Sequence, residues 1–217
     1  RHLAKGPRSN VGSNRDVASS DVSTTRLPAD ERRDQLLDIA LEVFATAGFH
    51  GASMNDVAEA AGVTKPVLYQ HFDSKNDLFA ALLDEVGRRM RTAIDKATAD
   101  ATDGKDATIR GFRAYFRWVA ADLDGFRLLF GGAARHDAAF AEQVRAITSD
   151  AATAIAPLIA ADVDDDTRRL IAHGLVGLAE GSSRRLLAHG QPFDPDSVAE
   201  TVAGLAWAGL RSLDAAN

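Results

Sequence analysis

The chain of 217 residues has no cysteine, which excludes disulfides and thiolate chemistry and fits a cytoplasmic protein. It also has no apolar run near the ~20 residues that span a bilayer, so no membrane partner is expected. A cationic-plus-apolar leader is missing too. Catalytic signatures are equally scarce: there is no glycine-rich phosphate loop and no Gly-x-Ser-x-Gly elbow. The six histidines (His2, His50, His71, His136, His173 and His189) are scattered, and no His/Asp cluster has metal-ligand spacing. The composition therefore argues against an enzyme, a resident metal or a cofactor. Aromatics are only 6% of the chain while alanine is abundant, which favours helix over strand. With 46% apolar residues there is enough material for a real core in one large or two modest all-α domains.

What is present is concentrated between Ser53 and Lys75. Ser53 followed by Asp56 is an acidic capping box, and Met54, Val57, Ala58 and Ala61 then recur at helical spacing. Gly62 sits where the chain must reverse and can take a positive φ without strain. Val63 is expected to plug the gap between two helices. Thr64 caps the second, and Pro66 suits its first turn. Val67, Leu68 and Phe72 can face inward, leaving Lys65, Tyr69, Gln70 and His71 to present polar atoms outward. This is the pattern of a helix-turn-helix, whose second helix enters the DNA major groove.

The pattern extends on both sides, through Phe44, Gly48, Phe49 and Gly51 before it and Ser74, Lys75 and Leu78 after it. Over about forty residues this constellation resembles the DNA-binding motif of the TetR family of transcriptional regulators. The resemblance implies a three-helix reading head, residues 28–74, followed by a helical ligand-binding and dimerisation domain, residues 75–217, about nine helices in all. Residues 1–27 carry five basic and two acidic side chains and read as a flexible tail or as an arm reaching for phosphates. A net charge of −6 is unusual for a DNA binder, so any basic footprint must be local.

Each later helix carries an apolar stripe. One runs from about Lys75 to Ala101, linking head and body, with Leu82, Val86 and Met90 on its inner side. The next two are expected over 106–123 and 126–130, separated by a break at Asp124-Gly125. They hold Phe112, Phe116, Val119, Phe126 and Phe130, which are either plain core or the wall of an apolar cavity. Another is expected over 137–161, with Pro157 kinking it or starting a new turn. The acidic run 162–166 lacks the glycine and terminal glutamate of a calcium loop and reads as a solvated linker. The last two helices are interrupted by Gly174, Gly177, Gly181, Gly204 and Gly209, which lower helix propensity and favour close helix packing.

By resemblance, these last helices pair with a second copy, giving a homodimer with Ile171, Gly174, Leu178, Val202, Leu205 and Gly209 as candidate contacts. The heads then dock on double-stranded DNA at a near-palindromic operator, one helical turn or a multiple apart. Lys65, Tyr69, His71 and Lys75 are candidates for phosphates, with Ser53 and Thr64 offering hydroxyls and helix N-terminal N–H groups. Gln70 suits an adenine edge, and Val67 or Thr64 a thymine methyl; Tyr69 and His71 alternatively pack on Phe72. A ligand-released repressor is expected, with an activator of the same fold as the alternative.

The effector is expected to be a small apolar molecule. Leu27-Pro28, Asp30 to Leu37, the run Lys65 to Phe72 and Gly174 to Gly177 are similar to regulators of fatty-acid synthesis that sense long-chain acyl-CoA. On that resemblance Phe112, Phe116, Phe126, Leu128 and Phe130 take the acyl chain, beside Leu175 and Leu178. Arg113, Arg117, Arg127 or the Arg184-Arg185 pair then meet phosphates, unless that pair is only solvated. A helical ligand carrier without DNA activity and a dimeric scaffold are the competing readings.

Overall fold

The computed structural model describes residues 29–131, 134, 137–190 and 192–214, so the basic segment 1–27 lies outside the described residues. Among the described residues there are nine α-helices and no strand. They are α1 (Ala29–Gly51), α2 (Met54–Ala60), α3 (Lys65–Tyr69), α4 (Lys75–Thr98), α5 (Gly104–Ala121), α6 (Leu123–Phe130), α7 (Ala141–Ile155), α8 (Asp165–Ala188) and α9 (Pro195–Asp214). A single 3-10 turn, Ala156–Leu158, follows α7.

Local chemistry explains the boundaries. Gly48 adopts φ 71°, a conformation that glycine takes without strain, and kinks α1 there. The N-caps Ser74, Asp103, Asp122 and Asp164 each accept a backbone N–H from the first turn of the helix that they open. The break before α6 therefore falls at Asp122 and not at Asp124-Gly125, which lie inside the helix. The Asp122 carboxylate takes the Gly125 N–H at 2.8 Å, and that bond starts the helix one turn earlier than the glycine suggests. Pro157 ends α7 by turning it into the 3-10 segment, well short of residue 161. Asp164 caps α8, and Arg168 closes the acidic connection by donating to the carbonyls of Ile159, Ala161 and Val163.

The core is continuous from head to body. Leu36, Leu37, Phe44, Val57, Leu68 and Phe72 are buried with Leu82, Val86, Phe116, Phe126 and Leu129 in one cluster. Body and head also meet at a ring cluster, where Phe140 lies 4.9 Å from Phe49 and 4.6 Å from Phe79. Alongside, His50 approaches Asp137 at 3.3 Å. The long α4 is tied by polar bonds to both sides. Arg89 bridges Glu85 on its own helix and Asp38 on α1, while Gln143 on α7 donates to the Ala80 carbonyl and to Asp84. Between these ties the helices touch closely: a Cβ on Gly87 would stand 2.7 Å from Cγ2 of Ile147.

Hydrogen bonding from Arg88 holds the Glu85 carboxyl below its ordinary range, against the opposing effect of partial burial and with help from Arg89. A depressed carboxyl pKa stabilises the fold above the ordinary glutamate range and loses that contribution as pH falls through the lowered value. Melting temperatures of wild type and Glu85→Gln should therefore differ at neutral pH and converge in acid; a constant gap across the titration would contradict this.

Candidate nucleic-acid interface and apolar cavity

The segment from Ser53 to Phe72 folds as a helix-turn-helix whose geometry follows from a few local bonds. Ser53 N donates to Asp56 Oδ2 at 2.8 Å and Asp56 N returns a bond to Ser53 Oγ at 3.3 Å, completing the capping box. At the other end of α2, Val63 N reaches Ala58 O and Gly62 N reaches Glu59 O, both at 3.0 Å, with Gly62 at φ 63°. This 6→1 and 5→2 pair is a Schellman motif, and it sets the angle at which α3 leaves. Met54, Val57, Ala58, Leu68 and Phe72 face the core, while Arg33 of α1 lies over the Phe72 ring at 4.7 Å.

What remains outward on α3 is polar apart from Pro66. Lys65, Pro66, Tyr69 and Gln70 are exposed, Tyr69 with 46% of its surface, whereas Val67 and His71 are half-buried. The His71 ring stands 6.4 Å from that of Phe72. Thr64 occupies the N-cap position by backbone conformation, but its side chain makes no cap bond. Ser53 differs: its hydroxyl donates to Asp56 Oδ2 at 2.8 Å as well as accepting from the Asp56 amide, so its hydrogen-bonding capacity is used within the head.

Lys75 departs from the expected placement at a phosphate. Its ammonium donates to the carbonyls of Phe49 at 2.8 Å and Ala52 at 2.9 Å and lies 4.5 Å from the Phe49 ring centre. Those carbonyls belong to the kinked end of α1 and the link to α2, where helix geometry leaves acceptors without partners. The first residue of α4 thus clamps the segment that leads into the reading helices.

In the body, an apolar cavity of about 90 Å³ is lined by α4, α5, α7, α8 and the 3-10 turn, together with Phe130 of α6. Of the expected wall residues, Met90, Phe112, Phe130 and Leu175 line it. Leu82, Val86, Phe116, Val119 and Phe126 do not: each is at most 2% exposed within close-packed core. The physical reason is that one helical stripe serves core and cavity alike, and the cavity begins only at the second half of α4, from Met90 onward. Leu178 is half-buried and packs against the main cluster outside the lining.

Sequence reasoning missed several wall residues. Thr98, Thr108 and Thr148 line the cavity with their hydroxyls donating to carbonyls four residues back on their own helices. Tyr115 and Glu180 complete the polar part of the wall. The available signal was an acid falling on the apolar side of α8, between Leu175 and Ser183. Three of the arginines expected at phosphates pair with acids outside the cavity lining. Arg117 makes a two-pronged pair with Asp196 at 2.7 Å, Arg113 approaches Asp196 and Glu200 at 3.9 and 3.8 Å, and Arg127 pairs with Asp124 at 3.3 Å.

The last two helices divide into two faces. Ala199, Val202, Ala203, Ala206 and Leu210 of α9 are buried within their own chain, so Val202 belongs to the core and not to a free face. Ile171 and Leu178 are likewise half-buried against their own chain's clusters. Outward lie Leu170 and Leu205, 72% and 66% exposed, and the glycines at 174, 177, 181, 204 and 209, at each of which an added Cβ would meet nothing within 4 Å.

The family model for bacterial regulatory proteins of the tetR family matches residues 36–82. The chain is 37% identical over 187 residues to the HTH-type transcriptional activator FasR of Mycolicibacterium smegmatis, covering 85% of each protein. In three dimensions it superposes on a TetR-like transcriptional regulator from Rhodococcus sp. RHA1 with a TM-score of 0.70 and 31% identity, over 86% of this chain and 99% of that one. The transcriptional regulator FadR from Bacillus subtilis, solved in complex with stearoyl-CoA, shares the fold at a TM-score of 0.71 and 17% identity, over 80% of this chain and 96% of that one. A capped reading head on a helical body, matched over 85% of the chain by such a relative, places this chain in the TetR family of DNA-binding transcriptional regulators.

Proposed function

We propose that the protein is a homodimeric regulator of lipid genes whose hold on its operator changes when a long-chain acyl-CoA enters the body. The observation that carries this reading is the apolar cavity against the second half of α4, the helix whose first residue clamps the entrance to the reading helices. Ligand-binding pockets are usually about 300 Å³ or more. A cavity of about 90 Å³ must therefore widen around an acyl chain, and α4 is one of the walls that yields. A shift at its origin alters the spacing of two heads and removes their simultaneous docking.

The proposed reading face consists of Thr64, Lys65, Tyr69, Gln70 and His71, with Val67 at its margin. Lys75 acts on it as a positioning residue. The outward glycine-and-leucine face of α8 and α9 is the proposed dimer contact, at Gly174, Leu205 and Gly209. The stearoyl-CoA bound by the Bacillus subtilis regulator supports the class of effector. Because the relative matched over 85% of the chain is named an activator, we favour positive control over the repression that the family pattern alone suggests.

A mobility-shift assay on the DNA upstream of the protein's own gene, with and without palmitoyl-CoA, tests this. A shift whose midpoint moves at least fivefold with the thioester supports it; no shift on any genomic fragment from an intact dimer would favour a ligand carrier. In the same assay Tyr69→Phe should weaken all sequences alike, whereas Gln70→Ala should relax preference at one base position. An unchanged preference in Gln70→Ala removes Gln70 as the base reader.

A further inference from the structure

We infer that Arg33, near the start of α1 and outside the helix-turn-helix, is a DNA-backbone contact that anchors the far end of the reading helix on a phosphate. This rests on the reading face proposed above and adds to it a residue from another helix.

The head is short of cations. Residues 28–74 hold three Lys/Arg against eight Asp/Glu. Neutralising phosphates supplies a large share of the affinity of any protein for duplex DNA, so each basic side chain in or beside the head matters. Several are already committed. Lys75, just past the head, gives its ammonium to the carbonyls of Phe49 and Ala52. Arg32 donates to Gln35 Oε1 at 2.9 Å. That leaves Lys65, on α3 itself, and Arg33. Among the described residues Arg33 has neither a carboxylate within ion-pair distance nor a hydrogen-bond acceptor; its guanidinium rests on the Phe72 ring, 4.7 Å from the centre.

Helix geometry aims Arg33 at the reading helix. Leu36 and Leu37, three and four residues on, are buried, so Arg33 lies one turn before them on the same inward stripe. Its neighbour Asp34, about 100° round the helix, belongs with Asp38 to the side that faces α4. There Asp38 meets Arg89 at 2.6 Å, and the charge of Asp34 acts on Arg88. These two acids are thus turned to α4 and Arg33 to the head. Phe72 is buried two residues beyond Gln70, the C-cap of α3, and the His71 ring stands 6.4 Å from it. The half-buried Arg33 therefore packs its stem on apolar surface beside the C-terminal end of α3 and keeps its charged tip at the edge.

The reading helix is short: five residues give ~7.5 Å of helix, against a major groove ~12 Å wide. With its first turn at the bases, its far end stands at the groove rim, where a phosphate strand runs. A planar guanidinium there can hold a phosphate through two N–H groups while its face stays on Phe72. Such a contact fixes the tilt of α3 and carries no base preference.

Fluorescence anisotropy of the full-length dimer on two labelled duplexes, one from the shifted upstream fragment and one of arbitrary sequence, tests this across about 50–200 mM potassium chloride. Each lost phosphate contact flattens the slope of log K against log salt by about 0.9, so Arg33→Gln, acting in two heads, should flatten it by about 1.8. Both duplexes should lose at least fivefold in affinity, and to the same extent. Arg33→Met, which leaves an apolar stem on the ring, should give the same flattened slope. Arg33→Lys keeps the charge and should keep the slope of wild type; thermal melts check that each variant is folded. Weaker binding with an unchanged slope overturns the inference, because Arg33 would then only brace Phe72. A loss confined to the upstream duplex overturns it by placing Arg33 with the base readers, and unchanged binding overturns it outright. If wild type binds neither duplex, the proposed reading face fails and this contact with it, a result distinct from the others.

Discussion

Phe116→Ala is expected to destabilise the protein by about 3–5 kcal/mol, the usual cost of emptying a fully enclosed phenylalanine site. Phe116 is completely buried, with its ring 5.3 Å from Tyr115 and 6.4 Å from Phe112, and it does not reach the cavity. DNA binding and ligand binding should therefore decline together, in step with the loss of folded protein. Phe112→Ala is the informative contrast, because the Phe112 ring already borders open space and has fewer neighbours to lose. It should cost clearly less stability while changing ligand affinity by more than the stability loss explains. Urea midpoints for the two variants decide the matter; equal midpoints would mean that the cavity and the core are not distinct at these positions.

The second large effect is expected at Gly87. Its α-carbon faces Ile147 so closely that even a methyl group has no room, and leucine would drive α7 away from α4. Overpacking of this kind costs about 1–3 kcal/mol. It should also break the bonds from Gln143 to Ala80 and Asp84, which hold the two helices in register. Since α7 walls the cavity at Thr148, Ala151 and Ile155, on the proposed reading the leucine should mimic the outward push of a ligand. Operator affinity of Gly87→Leu without ligand should approach that of ligand-saturated wild type. Adding Ile147→Ala, which vacates the contested space, should restore at least part of the wild-type response. No recovery in the double variant would separate the Gly87 contact from the response.

The reading head was legible in the sequence because its determinants are local. The Ser53–Asp56 box and the reversal at Gly62 each act within a few residues, and the structure shows both. The body was legible as helices but not as a site. Val86 and Met90 share one apolar stripe, yet the first is core and the second cavity wall, a difference that depends on what α5, α7 and α8 place opposite them. Val202 fails for the same reason: a stripe at helical spacing does not say whether it meets its own chain or another. Lys75 was misplaced because its partners, the carbonyls of Phe49 and Ala52, are backbone atoms more than twenty residues away. No side-chain pattern announces an acceptor of that kind.

The narrowness of the cavity has a consequence in time. On the proposed acyl-effector reading, about 90 Å³ is too little for a long hydrocarbon, so α4, α7 and α8 would have to part as it enters. Association would then run at the rate of that opening, below the diffusional ceiling, and departure would be slowed in the same way. A regulator working so would average over brief fluctuations in its signal and answer sustained ones.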